Sequence, residues 1–223
     1  MMNNLIQQIK AWVLNSDEKL ILGISGHGAA GKTTFAHLLM EELKTDVNFL
    51  NTDPYIVDSA IRKYADIDYT YKEISYRSKM TACHPAAHNI SSLERDICMI
   101  KNNMDLLTID THYSPSEILS SQNQLTIVEG MCVAFTNPKL FDLLIYFYTD
   151  GDTEFERRAV RDIEERGMAI DYLKQSHNNR RMQYEIFMHP YSQNFDVIIK
   201  STKTEPTIIE KNTFDVKVIE PTI

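Results

Sequence analysis

The stretch that decides the fold is Gly26-His27-Gly28-Ala29-Ala30-Gly31-Lys32-Thr33-Thr34. It fits the pattern G-x-x-x-x-G-K-[ST] of a phosphate-binding P-loop. An apolar run, Leu20-Ile21-Leu22-Gly23-Ile24, precedes it at strand length. After it, Phe35, Leu38, Leu39 and Leu43 recur at helical spacing. Strand, glycine loop and helix are the context the pattern requires. Glycines let successive N–H groups turn inward as an anion-binding nest, and the helix that starts near Lys32 aims its positive end at the same place. Lys32 is then expected to reach the outer phosphates of a nucleoside triphosphate and the Thr33 hydroxyl to ligate Mg²⁺.

Working outward, Val47 to Asn51 reads as a second strand, running into Thr52-Asp53-Pro54-Tyr55. Pro54 disfavours helix at Asp53, so this carboxylate sits at a strand exit, the edge where open parallel sheets bind ligands. Capping of a following helix is an equally good use of it. Leu125 to Val128 forms a further strand, ending in Glu129-Gly130, and supplies a second acid near the loop. Leu106 to Ile109 reads as a short strand, Leu143 to Tyr148 as a buried parallel one and Phe195 to Ile199 as the last of the sheet. Residues 57 to 88, rich in tyrosine and basic side chains, are either a flap over the acceptor or a surface excursion.

Arg157, Arg158, Arg161 and Arg166 crowd one helix that ends at Gly167. A solvated face of ion pairs would explain them. In a chain whose formal net charge is −8, four arginines in ten residues instead point to phosphate. A second helix follows from about Ile170 to Met188, ended by His189-Pro190.

Length and composition set the bounds. The 223 residues, 43% hydrophobic and 24% charged, suit one core-forming domain. The acidic balance argues against nucleic acid as a partner. No apolar run approaches membrane-spanning length and no signal-like segment opens the chain, so neither membrane nor export is expected. Leu5, Ile6, Ile9, Trp12 and Val13 mark an amphipathic helix over residues 3–15. Three scattered cysteines lack zinc spacing and fit free thiols in a cytoplasmic protein.

In this order, the P-loop, Asp53, His84-Pro85, Val128-Glu129-Gly130 and the run from Arg157 to Gly167 resemble the uridine kinases. These belong to the phosphoribulokinase and uridine kinase branch of P-loop kinases, and the likeness covers about residues 20 to 200. It implies a three-layer α/β P-loop fold with a mostly parallel five-stranded sheet flanked by helices. One kinase domain would span 1–200, with a helical lid at about 152–190. Apart from the resemblance, the tail, 201–223, alternates over Phe214 to Val218 like an edge strand, and it either adds to the sheet or is loosely held.

The resemblance further implies a phosphotransferase that uses ATP or GTP with Mg²⁺. Asp53 matches the acid that takes the acceptor hydroxyl's proton, Lys32 and Thr33 the phosphate and metal residues, and Glu129 the acid near the metal. Arg161 and Arg166 match lid arginines that close over the triphosphate, and Arg158 one close to the acceptor's sugar. Gly26 to Thr34, His27 included, would line the donor site. Tyr55, His84 and His112 would face the acceptor.

The departures fall on that acceptor side. The family's Asp-x-Phe-Tyr is Asp53-Pro54-Tyr55 here. The acid that grips ribose is replaced by Cys83, which cannot accept two hydroxyl protons as a carboxylate does. Ile109-Asp110 stands where Tyr-Asp is usual, with His112 closer than the family spacing, and Met168 replaces a lid arginine. The expected partner is a small-molecule acceptor, most simply uridine or cytidine. A pantothenate- or sugar-like alcohol and a catalytically silent nucleotide-binding regulator remain as alternatives, and homo-oligomerisation is open.

Overall fold

The computed structural model describes residues 2–164, 170–203 and 207–215. Helix α1 (Met2–Leu14) leads to β1 (Leu20–Gly26), α2 (Lys32–Leu43) and β2 (Val47–Asn51). A short α3 (Ser59–Arg62) precedes a hairpin of β3 (Asp66–Tyr71) and β4 (Ile74–Lys79). Then come α4 (Ile90–Lys101), a ribbon of β5 (Leu106–Leu107) and β6 (Ile118–Leu119), β7 (Leu125–Glu129) and β8 (Leu143–Tyr148). The chain continues through α5 (Gly151–Glu164), α6 (Ile170–Gln183), β9 (Val197–Lys200) and β10 (Ile208–Asn212).

The main sheet has the order β10-β9-β8-β1-β7-β2. Its five strands from β9 to β2 pair in parallel, and β10 closes one edge antiparallel to β9. Five parallel strands are the number expected, and the antiparallel sixth is an addition. The tail's strand lies earlier than the alternation at 214–218 suggests. Of that stretch, Phe214 turns its ring edge-on to Trp12, with centroids 5.5 Å apart, and residues 216–218 lie outside the described ones.

Parallel strands bury both faces, so they read as continuous apolar runs rather than alternating ones. Every residue of β1 and β7 is buried. Alternate side chains nevertheless serve different layers. Leu20, Leu22 and Ile24 join α1 and α2 through Leu5, Ile9, Phe35 and Leu39. Ile21, Leu50, Val128 and Tyr146 join Leu93, Ile97 and Ile100 of α4 on the opposite face. The result is helix, sheet and helix in three layers.

One smaller reading is corrected. Leu106 and Leu107 pair only with β6, outside the main sheet, and Thr108 and Ile109 belong to no strand. Asn48 of β2 explains the arrangement: its amide donates to Ser120 O at 2.7 Å and its Oδ1 accepts from Ser120 N at 3.1 Å, so the chain after β6 covers this sheet edge by side-chain contact. Of residues 57–88, which the sequence leaves open as a flap or a surface excursion, α3 and the β3–β4 hairpin take the larger part. The hairpin leans on the chain after α6, where Tyr71 OH donates to Glu185 at 2.6 Å and the Tyr69 and Phe187 rings meet at 5.9 Å. Among the described residues, none of β3 or β4 lines the main cleft.

Candidate active site

Parallel pairing places the site. Glu129 stands beside Ile24 of β1 and Asn51 of β2 in register, so the P-loop, Glu129 and Asp53 leave neighbouring strands at the same carboxyl edge. There they line one cleft of about 730 Å³.

The loop's conformation depends on particular backbone positions. Gly26 has φ +133°, and a Cβ there would lie 1.8 Å from Phe147 O, so β1 approaches β8 too closely for any side chain. Gly31 and Ala29 are also left-handed, at φ 99° and 63°. The outward carbonyls are tied down. Arg157 Nη1 donates to Ala29 O at 3.2 Å and to Ser201 Oγ at 2.7 Å, and Ser201 Oγ donates to Ala30 O at 3.0 Å. Arg157 and Ser201 thus hold two of the loop's carbonyls, and the loop itself lines the cleft. Helix α2 then begins at Lys32 with no acidic side chain in its first turn to neutralise the dipole.

Lys32 Nζ donates to His27 O at 3.2 Å and lies 3.6 Å from Glu129 Oε1. Thr33 Oγ1 donates to Glu129 Oε2 at 2.9 Å. Thr34 is exposed beside them and lines the cleft. The Thr33 hydroxyl and the Glu129 carboxylate are hard oxygen donors, as Mg²⁺ prefers. Among the described residues no group of three or more His, Cys, Asp or Glu could hold a metal alone. This donor set fits an ion that takes its other ligands from phosphate and water.

His27, the loop's second residue, is fully buried. Its Nε2 accepts from the Thr149 backbone N–H at 2.9 Å, and its Nδ1 donates to Gly28 O at 2.8 Å. These contacts set the tautomer with the proton on Nδ1. The Glu154 carboxylate lies 3.5 Å from Nδ1, yet burial pushes the imidazole's pKa down to about 4 and keeps it neutral. Glu154 is itself 1% exposed, with Arg181 at 3.3 Å, Arg180 at 3.6 Å and Arg158 at 4.0 Å. Burial alone would raise its pKa, but the neighbouring His27 and these arginines outweigh it and hold the carboxyl below its ordinary range.

On the acceptor side Asp53 is exposed to the cleft, its N–H held by Asn51 Oδ1 at 2.9 Å. Ile56, Ala82 and Met131 add an apolar lining to the cleft, which Arg158 and Arg180 also line. The other expected acceptor residues are not brought there. Tyr55 is 1% exposed and donates to Asp96 Oδ2 at 2.6 Å, which seats it in the core against α4. His84 accepts from Ala86 N at 3.1 Å and packs on Phe187, off the cleft lining. His112 is exposed on the β5–β6 loop beside Tyr113, also off the lining.

Of the expected arginines, Arg158 lines the cleft. The side chain of Arg161, on α5, and all of Arg166 and Met168 lie outside the described residues. One cleft arginine, Arg180, was not singled out from sequence, and Arg157 of the arginine run takes a role in holding the loop. Arg180 of α6 reaches over that loop. The signal available for Arg180 was the pair Arg180-Arg181 late in a helix of an acidic chain.

The model of the phosphoribulokinase / uridine kinase family matches residues 21–208. The chain belongs to the phosphoribulokinase/uridine kinase family. Among curated proteins of the family, a uridine kinase from Chlamydia pneumoniae is 30% identical over 198 residues, 81% of each chain. One from Lactobacillus helveticus is 28% identical over 198 residues, 82% of this chain and 87% of its own. Among solved structures, phosphoribulokinase from Rhodobacter spheroides superimposes with TM-score 0.57 at 18% identity, covering 88% of this chain and 76% of that one. D-glycerate 3-kinase from Cryptococcus neoformans gives 0.55 at 10% identity, over 92% and 99%. At such identities these structures share the fold alone. Membership of the phosphoribulokinase/uridine kinase family makes the chain a small-molecule kinase and implies a nucleotide phosphate donor, ATP, with Mg²⁺. No helix among the described residues is long and apolar enough to cross a membrane.

Proposed function

We propose that the protein transfers the γ-phosphoryl group of ATP to the primary hydroxyl of a pyrimidine nucleoside, uridine or cytidine. One observation carries the reading. The exposed carboxylate of Asp53 opens onto the same cleft as Lys32, Thr33 and Glu129, so an acceptor hydroxyl and a triphosphate can meet between them. The curated relatives named uridine kinase supply the nucleoside.

In this mechanism Asp53 accepts the acceptor hydroxyl's proton while that oxygen bonds to the γ-phosphorus. The bond from phosphorus to the β,γ-bridging oxygen breaks, and ADP leaves. Loop N–H groups and Lys32 hold the phosphates in line, and the charges of Arg161 and Arg166 would offset that of the group in transfer. Thr33 and Glu129 would hold Mg²⁺, whose bound charge would offset that of the outer phosphates. Positioning and fixed charge supply most of the rate in such reactions.

A second reading, a kinase for a smaller non-nucleoside alcohol, is favoured by the buried Cys83 and the apolar Ile56, Ala82 and Met131. Incubating the chain with labelled ATP, Mg²⁺ and separate acceptors decides between them. Labelled uridine or cytidine monophosphate supports the nucleoside reading. No label on either, with transfer to a sugar or a short hydroxy acid, overturns it.

A further inference from the structure

Helix α6 brings a cation to the P-loop from the far side of the cleft. Arg180 lies in its last turn. A Cβ added to Gly28 would sit 3.1 Å from Arg180 Nη2, so the guanidinium rests over the loop where a side chain is missing. The same Nη2 lies 3.7 Å from Met131 Sδ, just beyond Glu129. Nε stands 3.6 Å from Glu154, and the side chain is 20% exposed. Arg180 therefore spans both halves of the cleft, from the donor loop to the apolar acceptor wall.

Two further arginines stand beside it. Arg157 is bound to Ala29 O, Ser201 Oγ and Thr202 O. Arg181 is bound to Thr149 O and Glu185 and lies on the Tyr184 ring at 4.7 Å. Between the loop and Asp53 a phosphoryl group must pass from donor to acceptor, and Arg180 lines the cleft in which it passes.

We propose that Arg180 is a catalytic arginine, donating hydrogen bonds to the oxygens of the phosphoryl group in flight. This rests on the chain being a kinase. The new bond joins the acceptor oxygen to phosphorus as the bond to the bridging oxygen breaks. Arg180 gives up no proton and neutralises the charge that builds between the two oxygens. A planar fork can serve two of those oxygens at once, which a lysine cannot.

The test uses the full chain, Arg180→Met and Arg180→Lys, with Mg²⁺ present. ATP binding is measured by calorimetry, and phosphate release from ATP is measured with water as acceptor. The affinity of ADP is measured with and without aluminium fluoride, a mimic of the group in transfer. Arg180→Met is expected to keep ATP affinity within about threefold while losing about 10³-fold in release, the size of other arginines in this role. It should also lose the tightening of ADP by aluminium fluoride, and Arg180→Lys should restore little.

Unchanged release and tightening in either folded variant, with an active wild type, overturn this role alone. So does a fall in ATP affinity proportional to the fall in release, which marks a ground-state or structural contact. Arg180→Lys keeps the charge and stem, so it decides the matter if Arg180→Met melts early. A wild type that neither binds ATP nor responds to Lys32→Ala overturns the kinase reading, and this role with it.

Discussion

His27 Nδ1 and the Glu154 carboxylate lie 3.5 Å apart inside the protein, joining the P-loop's second residue to the first turn of α5. The imidazole stays neutral there because burial outweighs the attraction of Glu154, with Arg181 and Lys32 adding to the bias. An unfolded chain takes this proton near pH 6.5, whereas the folded one takes it only near 4. Between those values the unfolded state binds more protons, so stability falls as pH drops through that window and levels off below it. The full contribution is on the order of 3 kcal/mol. Buried His88, whose pKa is also lowered to about 4, acts in the same direction. Urea midpoints measured from pH 7 to 4.5, above most carboxylate titrations, should decline, and His27→Asn should flatten the decline. Parallel curves for both proteins would refute the assignment.

Glu154 anchors three arginines from two helices. Glu154→Ala leaves those partly buried cations without their shared counter-charge and should cost about 3–5 kcal/mol. Glu154→Gln should fall between the two proteins, since the amide keeps a hydrogen bond. Guanidinium unfolding gives both values, and a loss below about 1 kcal/mol in Glu154→Ala would mean that the arginines are satisfied without it.

Tyr55 belongs to the core and not to the acceptor site. Removing its hydroxyl in Tyr55→Phe breaks the bond to Asp96 and should cost about 1.5–3 kcal/mol, as for hydrogen bonds to charged groups. KM for whichever acceptor is used should not move. A raised KM at unchanged stability would return Tyr55 to the substrate.

Asp53→Asn removes the proposed proton acceptor while sparing the donor half. Transfer should be lost by at least about 10²-fold, the lower range for general bases, with ATP affinity unchanged. Lys32→Ala should lose both. Near-normal turnover in Asp53→Asn would show that another group takes the proton.

The donor half was readable because its signals are local. The glycine loop, its flanking strand and helix, and acids at strand tips are short patterns whose physics does not need the rest of the chain. Sheet pairing then brought Asp53 and Glu129 to neighbouring strand ends. What escaped depends on distant partners. Tyr55 looks like a cleft aromatic until Asp96, 41 residues on, takes its hydroxyl. His27 had no visible role because Thr149, Glu154 and Tyr184 surround it only in the fold. Arg180 could not be placed because the packing of α6 on α5 decides which of its side chains reach the loop. The β5–β6 ribbon read as a strand from its apolar residues, but the side-chain bonds of Asn48 leave it no place in the main sheet.

The position of β1 between β7 and β8 bears on how the chain is made. The strand that carries the P-loop ends at Gly26, but both of its hydrogen-bonded neighbours lie between Leu125 and Tyr148. Each pairing closes a loop of roughly a hundred residues, the kind of late, non-local contact that slows folding. A ribosome must therefore deliver well over half of this chain before the nucleotide cradle has walls. During that interval the apolar β1 has its helices but not its neighbouring strands, and its open edges are a place where chaperone contact would matter.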